Sequence, residues 1–143
     1  MSRRVRVLVA DDHEAHRRLL DDLFSALGCA VTTVPDGEAA VSAGPRFDII
    51  CLDRHMPGMG GEAAARQLRG TAYLVACTSH PEGLEPVFDA VLSKPFCCCE
   101  LADIVEAAMT ASRAVARRPR AHPRNDSTPC AAALPVAKVA CSR

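Results

Sequence analysis

The sequence predicts a doubly wound α/β domain, a five-stranded parallel sheet with helices on both faces and a shortened fourth helix. Three observations predict it. Short apolar runs alternate with amphipathic stretches five times within about 110 residues, the pattern of a repeated strand–helix unit. The runs are apolar throughout, as strands covered on both faces must be. Most of them end in a polar or charged residue, at the strand ends where such folds place their sites.

Arg3 to Ala10 reads as the first strand, carried by Val5, Val7, Leu8 and Val9, and it ends at Asp11-Asp12. Leu19, Leu20, Leu23, Phe24 and Leu27 then fall at the spacing of one buried helical stripe. Gly28 is its C-terminal stop and Asp11 or Asp12 its N-cap. Ala30 to Val34 is a short β-branched strand, and Pro35-Asp36-Gly37 turns the chain into a brief helix, Glu38 to Ala43, ended by Gly44-Pro45. Phe47 to Leu52 is the central strand. It delivers a single carboxylate, Asp53, to a tip followed at once by a Met-Pro-Gly turn.

Glu62 to Arg69 is helical, with Gly70 as its stop, and Ala72 to Cys77 is an apolar strand ending at Thr78-Ser79. About eleven residues then lead to the fifth strand, barely the minimum for a parallel crossover, and they include Pro81, Gly83 and Pro86. The fourth helix is therefore expected to be one or two turns, or missing. Ala90 to Leu92 is the fifth strand, ending at Lys94-Pro95. Leu101, Ile104, Val105, Ala108 and Met109 form the stripe of a closing helix.

A chain of 143 residues holds one such domain and not two. Its net charge is zero but divided: residues 1–112 hold 10 Lys+Arg against 16 Asp+Glu, or −6, and residues 113–143 hold 7 against 1, or +6. The expected organisation is a domain over 1–112 and a basic, Pro/Ala-rich, disordered tail over 113–143. The tail has no aromatic residue to stack on a base, so direct DNA binding is not expected. No apolar run reaches the length of a membrane span and no leader is visible, so a cytoplasmic location without membrane contact is expected. Eight cysteines show no C-x-x-C pair and no companion His spacing, and are expected to be reduced structural thiols, Cys97, Cys98 and Cys99 included. No glycine-rich phosphate loop follows the first strand, which leaves a nucleotide site unsupported.

In a parallel sheet the carboxyl ends share one rim, which would gather Asp11, Asp12, Asp53, Thr78 and Lys94. Three close carboxylates repel each other and attract a cation, and a few oxygen ligands with room for water suit Mg2+. With a lysine and a hydroxyl beside them, one carboxylate can act as a nucleophile toward phosphorus. Taken singly, each residue has an ordinary structural role as a cap, a turn residue or a solvated charge.

Val7-Leu8-Val9-Ala10-Asp11-Asp12, Leu52-Asp53-Arg54-His55-Met56-Pro57-Gly58-Met59-Gly60-Gly61, Thr78 and Lys94-Pro95-Phe96 together resemble the receiver domain of two-component response regulators, over about residues 4–112. The resemblance implies a (βα)5 flavodoxin-like, CheY-like fold. It implies Asp53 as phospho-acceptor, Asp11 and Asp12 as the acidic Mg2+ pair, and the His55 backbone carbonyl as a further ligand. Thr78 would be the switch hydroxyl and Lys94 the phosphoryl contact, with Lys94-Pro95 a candidate cis peptide. The implied partner is a sensor histidine kinase or a histidine phosphotransfer protein. Such a domain signals and does not act as an enzyme beyond its own phosphorylation and dephosphorylation.

Three positions depart from the resemblance: the short crossover after Thr78, Val91 where an aromatic is usual, and Gly60 where an acid is common. The first two predict weak or absent dimerisation through that face. His55 and His80 stand second after Asp53 and Thr78, where they either tune water access or are plain loop residues. Two alternatives to phosphoryl relay remain: an unphosphorylated adaptor, favoured by the altered fourth helix, and a phosphatase-type hydrolase, disfavoured by His55 where that chemistry wants an acid.

Overall fold

The computed structural model describes residues 3–44 and 46–117, with side chains through 112. Its elements in chain order are β1 (Arg6–Ala10), α1 (Glu14–Ala26), β2 (Ala30–Val34), α2 (Gly37–Ser42), β3 (Ile49–Asp53), α3 (Gly61–Leu68), β4 (Tyr73–Thr78), β5 (Ala90–Ser93) and α4 (Cys98–Arg117). The five strands form one parallel sheet in the order β2-β1-β3-β4-β5. The chain steps outward from β1 to β2, then reverses to β3 on the other side, which opens a crevice at the carboxyl ends of β1 and β3.

The strands alternate their side chains between two cores. Val7, Val9, Ile49, Cys51, Val75 and Cys77 face α1 and α4, where Leu20, Phe24, Leu101 and Ile104 meet them. Leu8, Ala10, Ile50, Leu52, Leu74 and Ala76 face the other side and pack on Ala40, Ala64, Ala65 and Leu68 of α2 and α3. The central strands β1, β3 and β4 are buried on both faces, which is why they read as continuous apolar runs, whereas Thr32 and Thr33 of the edge strand β2 are exposed.

The crossover from β4 to β5 forms no helix, only two turns within residues 79–89. That is the more extreme of the outcomes expected there. Pro81 and Pro86 supply no amide to a helix, and Gly83 takes the left-handed φ of 70°. In place of a helix, buried Phe88 and partly buried Leu84 and Val87 cover the sheet face beside Leu74 and Ala76. Asp89 closes the crossover, its carboxylate accepting the Leu74 amide at 2.8 Å and its own amide donating to the Leu74 carbonyl at 2.7 Å.

Four other expectations change. Leu19 and Leu27 are 44% and 39% exposed, so the α1 stripe narrows to Leu20 and Phe24 with Leu23 partly buried. A 13-residue helix lying on a sheet can bury only a narrow face. Neither Asp11 nor Asp12 caps α1. His13 holds the N-cap position without a side-chain bond, and Asp11 instead accepts the His13 amide at 2.9 Å in a tight local turn.

Cys97 and Cys99 are not both free thiols: they pair as a disulfide. Cys97 precedes the first residue of α4, and the Cys97 and Cys99 Cα atoms lie 5.5 Å apart, within disulfide reach. Cys29, Cys51 and Cys77 are free and buried, as read from their apolar settings, whereas Cys98 is free and exposed. Finally, α4 continues to Arg117, past the domain end expected at 112. The tail from 118 on, with Cys130 and Cys141, lies outside the described residues. Among the described residues, no helix is long and apolar enough to cross a membrane.

Candidate functional site

Register brings the sequence-predicted residues together. Ala10 pairs with Leu52, so Asp11 follows β1 at the level of Asp53 on β3. Asp53 pairs with Cys77, which puts Thr78 one residue further on, and Thr78 pairs with Ser93, just before Lys94. The Lys94 amide also donates to the Thr78 carbonyl at 3.1 Å. The Lys94-Pro95 peptide is cis, as the sequence suggested.

Asp11 is 1% exposed, Asp53 6% and Thr78 1%, the buried polar or charged residues of the described chain. Lys94 Nζ lies between the two acids, 3.2 Å from Asp11 Oδ2 and 3.5 Å from Asp53 Oδ1. Asp12 stands at the exposed rim, its Oδ1 3.0 Å from His13 Nδ1. Two carboxylates that share one ammonium in a buried site cannot both be fully neutralised by it.

The two acids accordingly titrate in opposite directions. Burial alone would raise Asp11, but the His13 amide and the Lys94 ammonium outweigh it and hold its pKa below the usual carboxylate value. For Asp53, burial and then the Asp11 carboxylate raise the pKa, Asp12 adds to the effect, and Lys94 and the His55 amide only partly oppose it. Lys94 therefore serves mainly as the partner of Asp11, in keeping with its shorter distance there.

Gly61 lets α3 start against this tip. A Cβ there would overlap the Asp53 carbonyl oxygen and sit 3.2 Å from Arg54 Cα. The Gly61 amide instead donates to the Arg54 carbonyl at 3.1 Å. On the other flank, the Thr78 hydroxyl accepts the His80 amide at 3.0 Å. The His55 and His80 side chains are exposed on their loops, and His55 meets the site through its amide.

Sequence reasoning missed three neighbours. His13 and His16, three apart on one side of the α1 start, both face Asp11, and His16 Nδ1 lies 3.1 Å from Lys94 Nζ. Their spacing was a usable signal. Arg54, directly after Asp53, reaches across to the β4–β5 crossover, and nothing in the sequence announced that target.

A hard cation fits the donor set. Asp11, Asp12, His13 and Asp53 each offer an atom within 4.8 Å of the others, and three of the four are carboxylates. Oxygen donors on a half-open rim are the kind Mg2+ takes while keeping water in its shell. A carboxylate beside such a cation site, a lysine and a hydroxyl can handle a multiply charged anion.

Comparisons with known proteins agree with this fold. The sequence profile of the response regulator receiver domain matches residues 7–106. The chain is 33% identical over 120 residues to the sensor protein GacS of Pseudomonas syringae pv. syringae, covering 73% of this chain and 13% of that protein. It is 39% identical over 108 residues to the response regulator MprA of Mycobacterium tuberculosis, covering 68% of this chain and 47% of MprA. The chain thus spans a small part of the first relative and less than half of the second. Among solved structures, TrrA of Thermotoga maritima, determined in complex with Mg2+-BeF, superposes with a TM-score of 0.66 at 27% identity, covering 73% of this chain and 98% of that one. A CheY-like receiver domain from Methylobacillus flagellatus gives 0.69 at 25% identity, covering 74% and 99%.

Proposed function

This chain belongs to the response regulator receiver domain family, and from that premise we propose that Asp53 accepts a phosphoryl group from a phosphohistidine of a sensor kinase or phosphotransfer protein. The observation that carries the reading is the shared cation: Lys94 Nζ stands 3.2 Å from Asp11 and 3.5 Å from Asp53 at one buried strand tip. A carboxylate held there is close to a fixed positive charge, which favours an incoming anion over the ordinary solvated state.

In the proposed step an oxygen of Asp53 forms a bond to phosphorus as the donor's P–N bond breaks. The donor imidazole keeps the electron pair of that bond and takes up a proton. Mg2+, held by Asp11, Asp12, Asp53 and the His55 backbone carbonyl, would supply charge neutralisation to the phosphoryl oxygens. Lys94 contacts one of those oxygens. Asp53 attacks as the carboxylate; burial and the Asp11 carboxylate raise its pKa, and a divalent cation bound between the acids would oppose that repulsion.

The Thr78 hydroxyl is placed to turn from the His80 amide toward the new group, changing the β4–β5 surface that a partner protein reads. Output through protein contact, in the cytoplasm and without DNA binding, completes the reading.

A second reading, an unphosphorylated adaptor, is favoured by the helix-free crossover, since that surface departs furthest from the family pattern. Radiolabel transfer from phosphoramidate, a P–N donor, separates the two. Mg2+-dependent labelling that Asp53→Asn abolishes is the expected result, and no labelling at all points to the adaptor.

A further inference from the structure

Arg54 takes over work that a helix would have done. In a helix, each carbonyl accepts an amide from the following turn. The β4–β5 crossover cannot arrange this with Pro81, Gly83 and Pro86 in it. Instead Arg54 Nη1 donates to the carbonyls of His80 at 2.9 Å and Glu82 at 2.7 Å, and Nη2 donates to the Gly83 carbonyl at 3.3 Å. Its Nε donates to Glu62 Oε1 at 2.7 Å, which fixes the guanidinium against α3 and balances its charge. Four of the five N–H groups of a planar fork are thereby used.

The clamp is connected to the site. His80, whose carbonyl Arg54 holds, donates its own amide to Thr78 Oγ1 at 3.0 Å. Two hydrogen bonds therefore separate the Thr78 hydroxyl from the side chain adjacent to Asp53. If the hydroxyl turns toward an anion on Asp53, the His80 amide loses its acceptor and the clamped carbonyls must readjust.

We propose that Arg54 is a positioning residue that locks the 80–83 crossover to the strand tip bearing Asp53 and passes the state of Thr78 to that surface through His80. The trigger, though not the geometry, rests on the phosphoryl-acceptor reading above. Glu62 is its partner in the role, and the crossover from 80 to 86 is the responsive surface.

Hydrogen exchange of the full chain tests this in the unmodified protein and again with Mg2+ and beryllofluoride. Arg54→Met should speed exchange across 80–89 by at least about tenfold while β1 and β3 keep their protection. Arg54→Lys should behave like Arg54→Met, because one ammonium cannot span three carbonyls and a carboxylate. In the wild type, beryllofluoride should change exchange in the crossover, and in Arg54→Met that response should vanish.

Unchanged exchange in Arg54→Met overturns the inference, as does full rescue by lysine. So does a crossover that stays unmoved although fluorine NMR shows beryllofluoride bound. If beryllofluoride does not bind and Asp53 takes no phosphoryl group, the functional reading fails, and the comparison of unmodified proteins alone decides the clamp.

Discussion

Gly61→Ala is the sharpest perturbation of the architecture around Asp53. A Cβ at this position would overlap the Asp53 carbonyl oxygen and stand 2.9 Å from the carbonyl carbon and 3.2 Å from Arg54 Cα. Carbon atoms pack comfortably at about 3.5–4.0 Å, so the start of α3 would have to retreat by roughly 1 Å. The obstacle is backbone on a central strand, which has no rotamer to yield. Overpacking of this kind costs about 1–3 kcal/mol.

Alanine is the better helix former by about 1 kcal/mol at most, and less at the first helical residue. Steric overlap should therefore win by about 1–2 kcal/mol, a fall in Tm of about 5–15 °C for a domain of this size. Differential scanning calorimetry reads it directly. The same retreat would stretch the Gly61 amide–Arg54 carbonyl hydrogen bond, loosen the loop after Asp53 and weaken Mg2+ binding. An alanine variant as stable as the wild type, with unchanged Mg2+ affinity, would refute the steric argument and show that α3 is free to shift.

The other expectations follow from burial and charge. Asp53 has a folded pKa above its unfolded one, so its contribution to stability is present below the unfolded value and lost as pH rises through the folded value. Asp53→Asn should thus raise Tm by a few degrees at neutral pH, and the gain should disappear in acid. Asp11, whose folded pKa is lowered, has the opposite sign: its contribution is lost as pH falls through the folded value, so Asp11→Asn should destabilise at neutral pH and matter least in acid. Mg2+ at ten times its Kd should stabilise the wild type by about 1.4 kcal/mol against chelator, and Asp11→Asn should remove the effect in thermal melts. Leu20→Ala should cost about 2–5 kcal/mol in urea unfolding and Leu19→Ala under about 1, because only the first is buried. Sedimentation of the beryllofluoride form should show a monomer, and a tight dimer built on β4, β5 and α4 would contradict that.

The fold was legible wherever one residue type does one job. Apolar runs such as Ile49-Ile50-Cys51-Leu52 can be dry on both sides only in a covered parallel sheet. Their polar ends then had to share a rim, which is why Asp11, Asp53, Thr78 and Lys94 could be assembled from sequence. Less legible were matters that depend on which way a side chain leans. Leu19 and Leu20 are adjacent leucines, and only packing decides that one is buried. Asp11 as a cap and Asp11 as the Lys94 partner are the same letter, and the second role depends on a residue 83 positions away. The Arg54 clamp was invisible because its three acceptors on the crossover are backbone carbonyls, which carry no sequence signature.

The central claim concerns one carboxylate among three, and borohydride trapping distinguishes them. Treatment with Mg2+ and a small phosphodonor, followed by borohydride, converts an aspartyl phosphate to homoserine at the residue that carried it. Peptide mass spectrometry should then find homoserine at position 53 alone, and none in Asp53→Asn or without Mg2+. Homoserine at position 11 or 12, or none anywhere, would contradict the account.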